Sequence, residues 1–227
     1  MSRYLILYNP ETEKKFVVDT YQKRLARMRS KINAWVSIVS KYPHVQKCMV
    51  TLTYDTAGTL VNPSEWRPKH VSAFINHLKK IKGLEVLAYA WVCELQDRGV
   101  PHYHVLLVYR GYVPFPDQTK LWKYGMSNIL FDIKTLFYIM RYTGKAYQKN
   151  FDKFPKGARL FACGVMSKDR DTMSYAMLTD HQKKAYDVGG MAEVREVSKR
   201  PEWLRSQLVG YAETKKYADF LVLDNLE

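Results

Sequence analysis

Glu94-Leu95-Gln96-Asp97-Arg98-Gly99-Val100-Pro101-His102-Tyr103-His104 decides how this chain folds. Gln96 to Pro101 is turn chemistry, and the segments on either side, Leu84 to Glu94 and His102 to Tyr109, are apolar runs of strand length. They predict a β-hairpin. Alternate residues of a strand point to one face, so His102 and His104 aim at the same region. The hairpin brings Glu94 alongside them. A lone His-x-His in a strand is more often structural than ligating; the carboxylate across the turn shifts that balance. Two imidazoles and a carboxylate leave open positions on a divalent ion, and an ion held that way can take a phosphate oxygen and polarise the phosphorus. Gln96 is a further or substitute oxygen ligand, and Asp97 reads as a turn residue.

Working outward, Leu25, Met28, Ile32, Trp35, Val36 and Val39 recur at helical spacing and predict a helix over 19–40, with Lys23, Arg24, Arg27, Arg29 and Lys31 on its other positions. Residues 1–10 read as a short first strand. Lys47 to Tyr54 reads as a strand, Lys69 to Lys82 as an amphipathic helix stopped by Gly83, Asp132 to Lys149 as a second helix of the core and Arg159 to Met166 as the strand after it. Strand, helix, strand, strand, helix, strand is the split βαβ plan: an α+β fold whose antiparallel sheet has a ferredoxin/RRM-like βαββαβ core with helices on one face. The expected organisation is an N-terminal strand and basic helix over 1–46 packed on the core, the core over 47–167, and a C-terminal extension of the same domain over 168–227. Pro201-Glu202-Trp203-Leu204 suggests a segment packed back on the body.

The chain has 227 residues, a hydrophobic fraction of 47% and a net charge of +14. That charge concerns partners rather than fold, and nucleic acid is the leading candidate, ahead of a membrane surface. No stretch reaches the roughly 18–20 consecutive apolar residues of a membrane span, and the apolar run at the start is too short for a secretory signal. Cys48, Cys93 and Cys163 lie far apart without the spacing of a zinc or redox motif, so they are expected to be reduced small hydrophobes in an intracellular protein.

On a helix advancing about 100° per residue, Tyr138, Tyr142, Lys145 and Lys149 share one face, which Arg141 borders. Ile133, Leu136, Met140 and Tyr147 lie roughly opposite. A tyrosine stripe in a chain with 17 tyrosines is ordinarily packing. Here it is interleaved with cations away from the apolar face, which favours a phenol offered to a phosphate. Attack by a tyrosine on phosphorus yields a covalent phosphotyrosine, and nearby cations are expected to lower the phenol pKa.

Taken together these residues resemble the HUH endonucleases, and more narrowly the rolling-circle replication initiators of small viruses, phages and plasmids. Val50-Thr51-Leu52-Thr53-Tyr54 is like the family's hydrophobic first motif, Glu94 through His104 is like its Glu-x-His-x-x-Gly-x-x-His-x-His pattern, and Tyr138 through Lys145 is like its Tyr-x-x-Lys-Tyr-x-x-Lys signature. Trp122-Lys123-Tyr124-Gly125-Met126-Ser127 is similar to the segment linking the last two. The resemblance implies site- and strand-specific nicking of single-stranded or hairpin origin DNA. It implies Tyr142 as the primary nucleophile, Tyr138 as the second tyrosine of two-tyrosine members, and Lys145 as the group that orients or activates the phenol or the scissile phosphate. His102, His104 and Glu94 would bind Mg²⁺ or Mn²⁺, and Arg141 and Lys149 would contact DNA. Gln96 stands where the family often has histidine. Arg141 replaces the first signature lysine, keeping its charge but not its ease of proton transfer. The sequence has no Gly-x-x-x-x-Gly-Lys-Ser/Thr phosphate loop, so strand separation falls to a separate helicase and synthesis to a host polymerase. The expected location is the cytoplasm of a prokaryotic host, or the nucleus for a eukaryotic replicon.

Two other readings compete. A transposase or relaxase would use the same chemistry on different DNA. A non-catalytic domain would bind single strands through sheet aromatics such as Tyr54, Tyr89 and Trp91, but such a domain has no need of Glu94, His102, His104 and Tyr142 together. An amidohydrolase barrel needs about 250 residues and eight strand–helix units, and a zinc deaminase needs a cysteine pair that this sequence lacks.

Overall fold

Alternation of apolar residues along 46–53, 85–95 and 101–110 builds the centre of the fold. In a computed structural model, which describes residues 4–9, 14–55, 69–96, 100–142, 154, 159–178, 180–198 and 221–223, these segments are adjacent antiparallel strands. Residues 21–173 form one compact unit, and residues 2–20 with 174–227 form a second.

The second unit carries strands β1 (Tyr4–Asn9) and β2 (Lys14–Asp19), an antiparallel pair with Tyr4 opposite Asp19. The first unit begins with helix α1 (Thr20–Val39, its first residue assigned to the other unit). Leu25, Met28, Ile32, Trp35, Val36 and Val39 are all buried, as their spacing predicts. Strand β3 (Gln46–Thr53), helix α2 (Lys69–Leu78), strands β4 (Glu85–Leu95) and β5 (Pro101–Arg110), strand β6 (Ser127–Leu130) and strand β7 (Phe161–Gly164) follow. Val71, Phe74, Ile75 and Leu78 form the buried stripe of α2. The sheet order is β6-β3-β5-β4-β7, with every pairing antiparallel. Strand β5 sits between β3 and β4, as the split βαβ plan requires, and the fold is α+β.

Three details differ from the sequence expectation. The strand read after the second core helix is only Phe161–Gly164, and it extends the sheet beyond β4. The far edge, beside β3, is closed by β6 from a segment read as a connection; four residues are too few for a clear period-2 signal. The second core helix starts later than Asp132, whose φ of 55° is left-handed. Thr135 caps a 3₁₀ turn over Leu136–Ile139, its hydroxyl accepting from Phe137 N at 3.2 Å, and Met140 to Tyr142 continue as helix.

Beyond β7, the second unit has the helix Asp180–Ser198, kinked at Gly189 and Gly190, and strand β8 (Leu221–Leu223), which pairs with β1. Thus a stretch that read as polar and unpatterned carries a helix and a strand. Pro201 to Leu204 lie outside the described residues. Cys48 and Cys93 are buried and Cys163 half-buried, all as free thiols. No helix among the described residues is long and apolar enough to cross a membrane.

Candidate metal centre and tyrosine site

Register places the three expected ligands together. At the closed end of the β4–β5 hairpin Glu94 lies directly opposite His102, and Val92 opposite His104. A one-residue slip in this pairing would turn Glu94 to the other face of the sheet. The slip that does occur is confined to a β-bulge between Val86 and Ala88, far from the site. Glu94 Oε1 lies 3.1 Å from His104 Nε2. The two imidazole centroids are 4.7 Å apart, and one donor atom each of Glu94, His102 and His104 lies within 4.8 Å of the others. His104 is buried, at 5% exposure, and the Glu94 side chain is 20% exposed. Two borderline nitrogen donors and one hard oxygen suit a divalent first-row metal or Mg²⁺. This cluster can hold a metal ion; its donors do not by themselves choose which one.

Gln96 was a candidate ligand. Its side-chain amide lies 3.1 Å from His102 Nδ1, the same nitrogen that Thr53 Oγ1 meets at 2.9 Å. The amide therefore borders the imidazole, and the ligand-sized group of donors is Glu94, His102 and His104.

Helical spacing put Tyr138 and Tyr142 on one face, and the sheet brings Tyr142 to the histidines. Its ring stacks on His104 with centroids 3.6 Å apart and planes 19° from parallel. Tyr138 meets Tyr142 edge-on at 5.9 Å, and the Arg141 guanidinium lies 4.9 Å over the Tyr138 ring. Ile133, Leu136 and Ile139 are buried beneath, while Met140 is half-buried. Lys145, Tyr147 and Lys149 lie outside the described residues. The phenol of Tyr142 is pushed up to about 12, first by burial, then by its hydrogen bond to Tyr138 and the nearby Tyr138 and Glu94 charges; Arg141 pulls the other way. The expectation of a phenol acidified by its cations is thus reversed within the chain itself, because desolvation and the carboxylate outweigh the guanidinium.

The aromatics named for the non-catalytic reading are largely core. Tyr54 and Trp91 are each 1% exposed, so neither can stack on a base. Tyr54 packs against Trp122, Tyr124 and His70, and His70 stacks on Tyr124 at 4.2 Å. Segment 122–126 clasps the end of β3 through this cluster: Trp122 Nε1 donates to Thr53 O at 3.1 Å, Thr53 N to Met126 O at 2.9 Å, and Asp55 N to Tyr124 O at 2.7 Å. Gly125 makes that approach, at φ +152°, and a Cβ there would run into the backbone at Asp55 N and Thr53 O. Gly125→Ala is expected to cost about 1–3 kcal/mol of stability, the scale of local backbone strain, read as a lower urea midpoint.

Sequence reasoning assigned no role to Thr51 and Thr53. Thr51 Oγ1 lies 3.3 Å from His104 Nδ1, as Thr53 Oγ1 does 2.9 Å from that of His102. The available signal was their i, i+2 spacing, which matches that of the histidines on the neighbouring strand.

The family model described as Replication-associated protein ORF2 matches residues 47–149, a little under half of the chain. The matched span runs from β3 through the tyrosine segment and so contains the whole candidate site. The match supports a replication-initiator type of protein. No curated protein and no solved structure matches the chain.

Proposed function

We propose that this protein is a metal-dependent tyrosine DNA endonuclease and strand transferase that nicks single-stranded or hairpin origin DNA and so starts and ends rolling-circle replication. The observation that carries the reading is the stacking of Tyr142 on His104 within the Glu94/His102/His104 cluster. It sets a potential oxygen nucleophile beside the one group of side chains, among the described residues, arranged to hold a metal ion. The replication-associated family match and the +14 charge point the same way.

Glu94, His102 and His104 would hold Mg²⁺ or Mn²⁺. When bound, the ion would polarise the scissile phosphate and favour the phenolate of Tyr142. Tyr142 Oη attacks phosphorus; the new P–O bond forms as the bond to the 3′-oxygen breaks. The phenol gives up one proton and the departing 3′-oxygen gains one, so the step is neutral in protons. The 5′-phosphate stays on tyrosine and the 3′-hydroxyl becomes a primer. The phosphotyrosine conserves the bond energy, and reversal by a 3′-hydroxyl rejoins the strand without ATP. Arg141, exposed beside Tyr138, would contact the phosphate backbone. Unwinding and synthesis would come from a separate helicase and a host polymerase.

The test is incubation with single-stranded origin DNA and Mn²⁺, followed by a denaturing gel. A covalent protein–DNA adduct is expected, and chelation with EDTA is expected to remove it. Binding without an adduct on any DNA would instead make this a binding module.

A further inference from the structure

Strand β3 faces the two histidines with two hydroxyls in matching register. Thr51 lies directly opposite His104 and Thr53 directly opposite His102. Each hydroxyl meets the Nδ1 of its own partner, at 3.3 Å and 2.9 Å. Gln96 adds a second contact at His102 Nδ1. The geometry points to Thr51 and Thr53 as positioning residues that orient the two imidazoles and set their tautomer, so that both present Nε2 to a divalent cation beside Glu94. This role rests on the metal reading of the same cluster.

A neutral imidazole ligating through Nε2 must carry its proton on Nδ1 and donate it. Such a donor needs an acceptor, and partners of this kind fix ring orientation in metal sites. In His104, Nε2 lies 3.1 Å from Glu94 Oε1. With the proton on Nε2 and donated to the carboxylate, Nδ1 accepts from the Thr51 hydroxyl. When Nε2 turns to a metal, the proton belongs on Nδ1 and the same hydroxyl must accept. A hydroxyl rotor serves both states; a methyl serves neither.

The strand bearing these hydroxyls is itself held. Thr53 N and O are engaged by Met126 O and Trp122 Nε1, and Trp122 is 1% exposed. A one-residue shift of β3 would exchange Thr51 and Thr53 for Leu52 and Tyr54 at this face. The clasp from 122–126 resists such a shift, so the linking segment supports the metal centre without contacting a metal.

The test uses the full chain and Mn²⁺ alone, with free Mn²⁺ read by electron paramagnetic resonance. Thr51→Val and Thr53→Val keep shape and remove only the hydroxyl. Each is expected to weaken Mn²⁺ binding by about 10–100-fold, the range for such supporting partners, while circular dichroism shows the fold retained. Thr51→Ser and Thr53→Ser are expected to restore binding to near the wild-type value. Nitrogen-15 spectra with Mg²⁺ should show a single Nδ1–H tautomer for His102 and His104 in wild type and a mixture in the valine variants. Unchanged Mn²⁺ affinity in the valine variants overturns the positioning role and leaves the metal reading standing. Failure of serine to rescue shows that the methyl packing mattered, and also overturns it. Absence of Mn²⁺ binding in wild type overturns the metal reading and this inference together.

Discussion

Tyr142→Phe is expected to abolish the covalent DNA adduct while leaving fold and DNA binding nearly intact. The phenylalanine ring keeps the stack on His104, whose centroid separation is 3.6 Å, and removes only Oη. Stability should change by less than about 1.5 kcal/mol, the upper range for one net hydrogen bond, since Oη is hydrogen-bonded to Tyr138. Nicking should fall by about 10⁴-fold or more, as when other enzymes lose the group that forms their covalent intermediate. Tyr138 stands next in line, edge-on at 5.9 Å, and does not stack on His104. Tyr138→Phe should therefore leave the first cleavage largely intact. A denaturing gel with both variants separates the roles. Adduct surviving in Tyr142→Phe and vanishing in Tyr138→Phe would reverse the assignment.

His104→Ala is expected to remove metal binding and nicking together. His104 is the hub of the site: Nε2 meets Glu94, Nδ1 meets Thr51, and the ring face carries Tyr142. Its loss takes away a ligand and the platform that seats the nucleophile. Mn²⁺ affinity should drop by more than about 100-fold, beyond the range for partners that only support a ligand. Truncating a buried ring also leaves a cavity, with a cost of about 2–4 kcal/mol, so the urea midpoint should fall. His104→Gln separates the two effects. It refills most of the space and should recover stability, yet still fail to bind Mn²⁺ at wild-type affinity. Recovery of binding by His104→Gln would show that a side-chain amide suffices at this position.

Much of the fold and site was legible in particular residues. Period-2 alternation put His102 and His104 on one face, and a short turn put Glu94 nearby, because the signal is local and both strands are long. The same holds for α1 and α2, whose buried residues sit at helical spacing. The start of the tyrosine helix was misplaced because Asp132 adopts a left-handed backbone and Thr135 takes the cap, a choice made by turn geometry. Strand β6 was missed because edge pairing with β3, rather than its own pattern, makes it a strand.

By itself the sequence determined the donor set, the hairpin and the candidate tyrosines, since local periodicity fixes which side chains share a face. Only the tertiary structure decided that Tyr142 stacks on His104, that Gln96 borders an imidazole, and that Thr51 and Thr53 answer His104 and His102 across the sheet. Those pairings join residues about fifty positions apart in the case of the threonines. They depend on strand register and on how a helix seats on a sheet, and both are set by long-range packing and hydrogen bonding that no local pattern records.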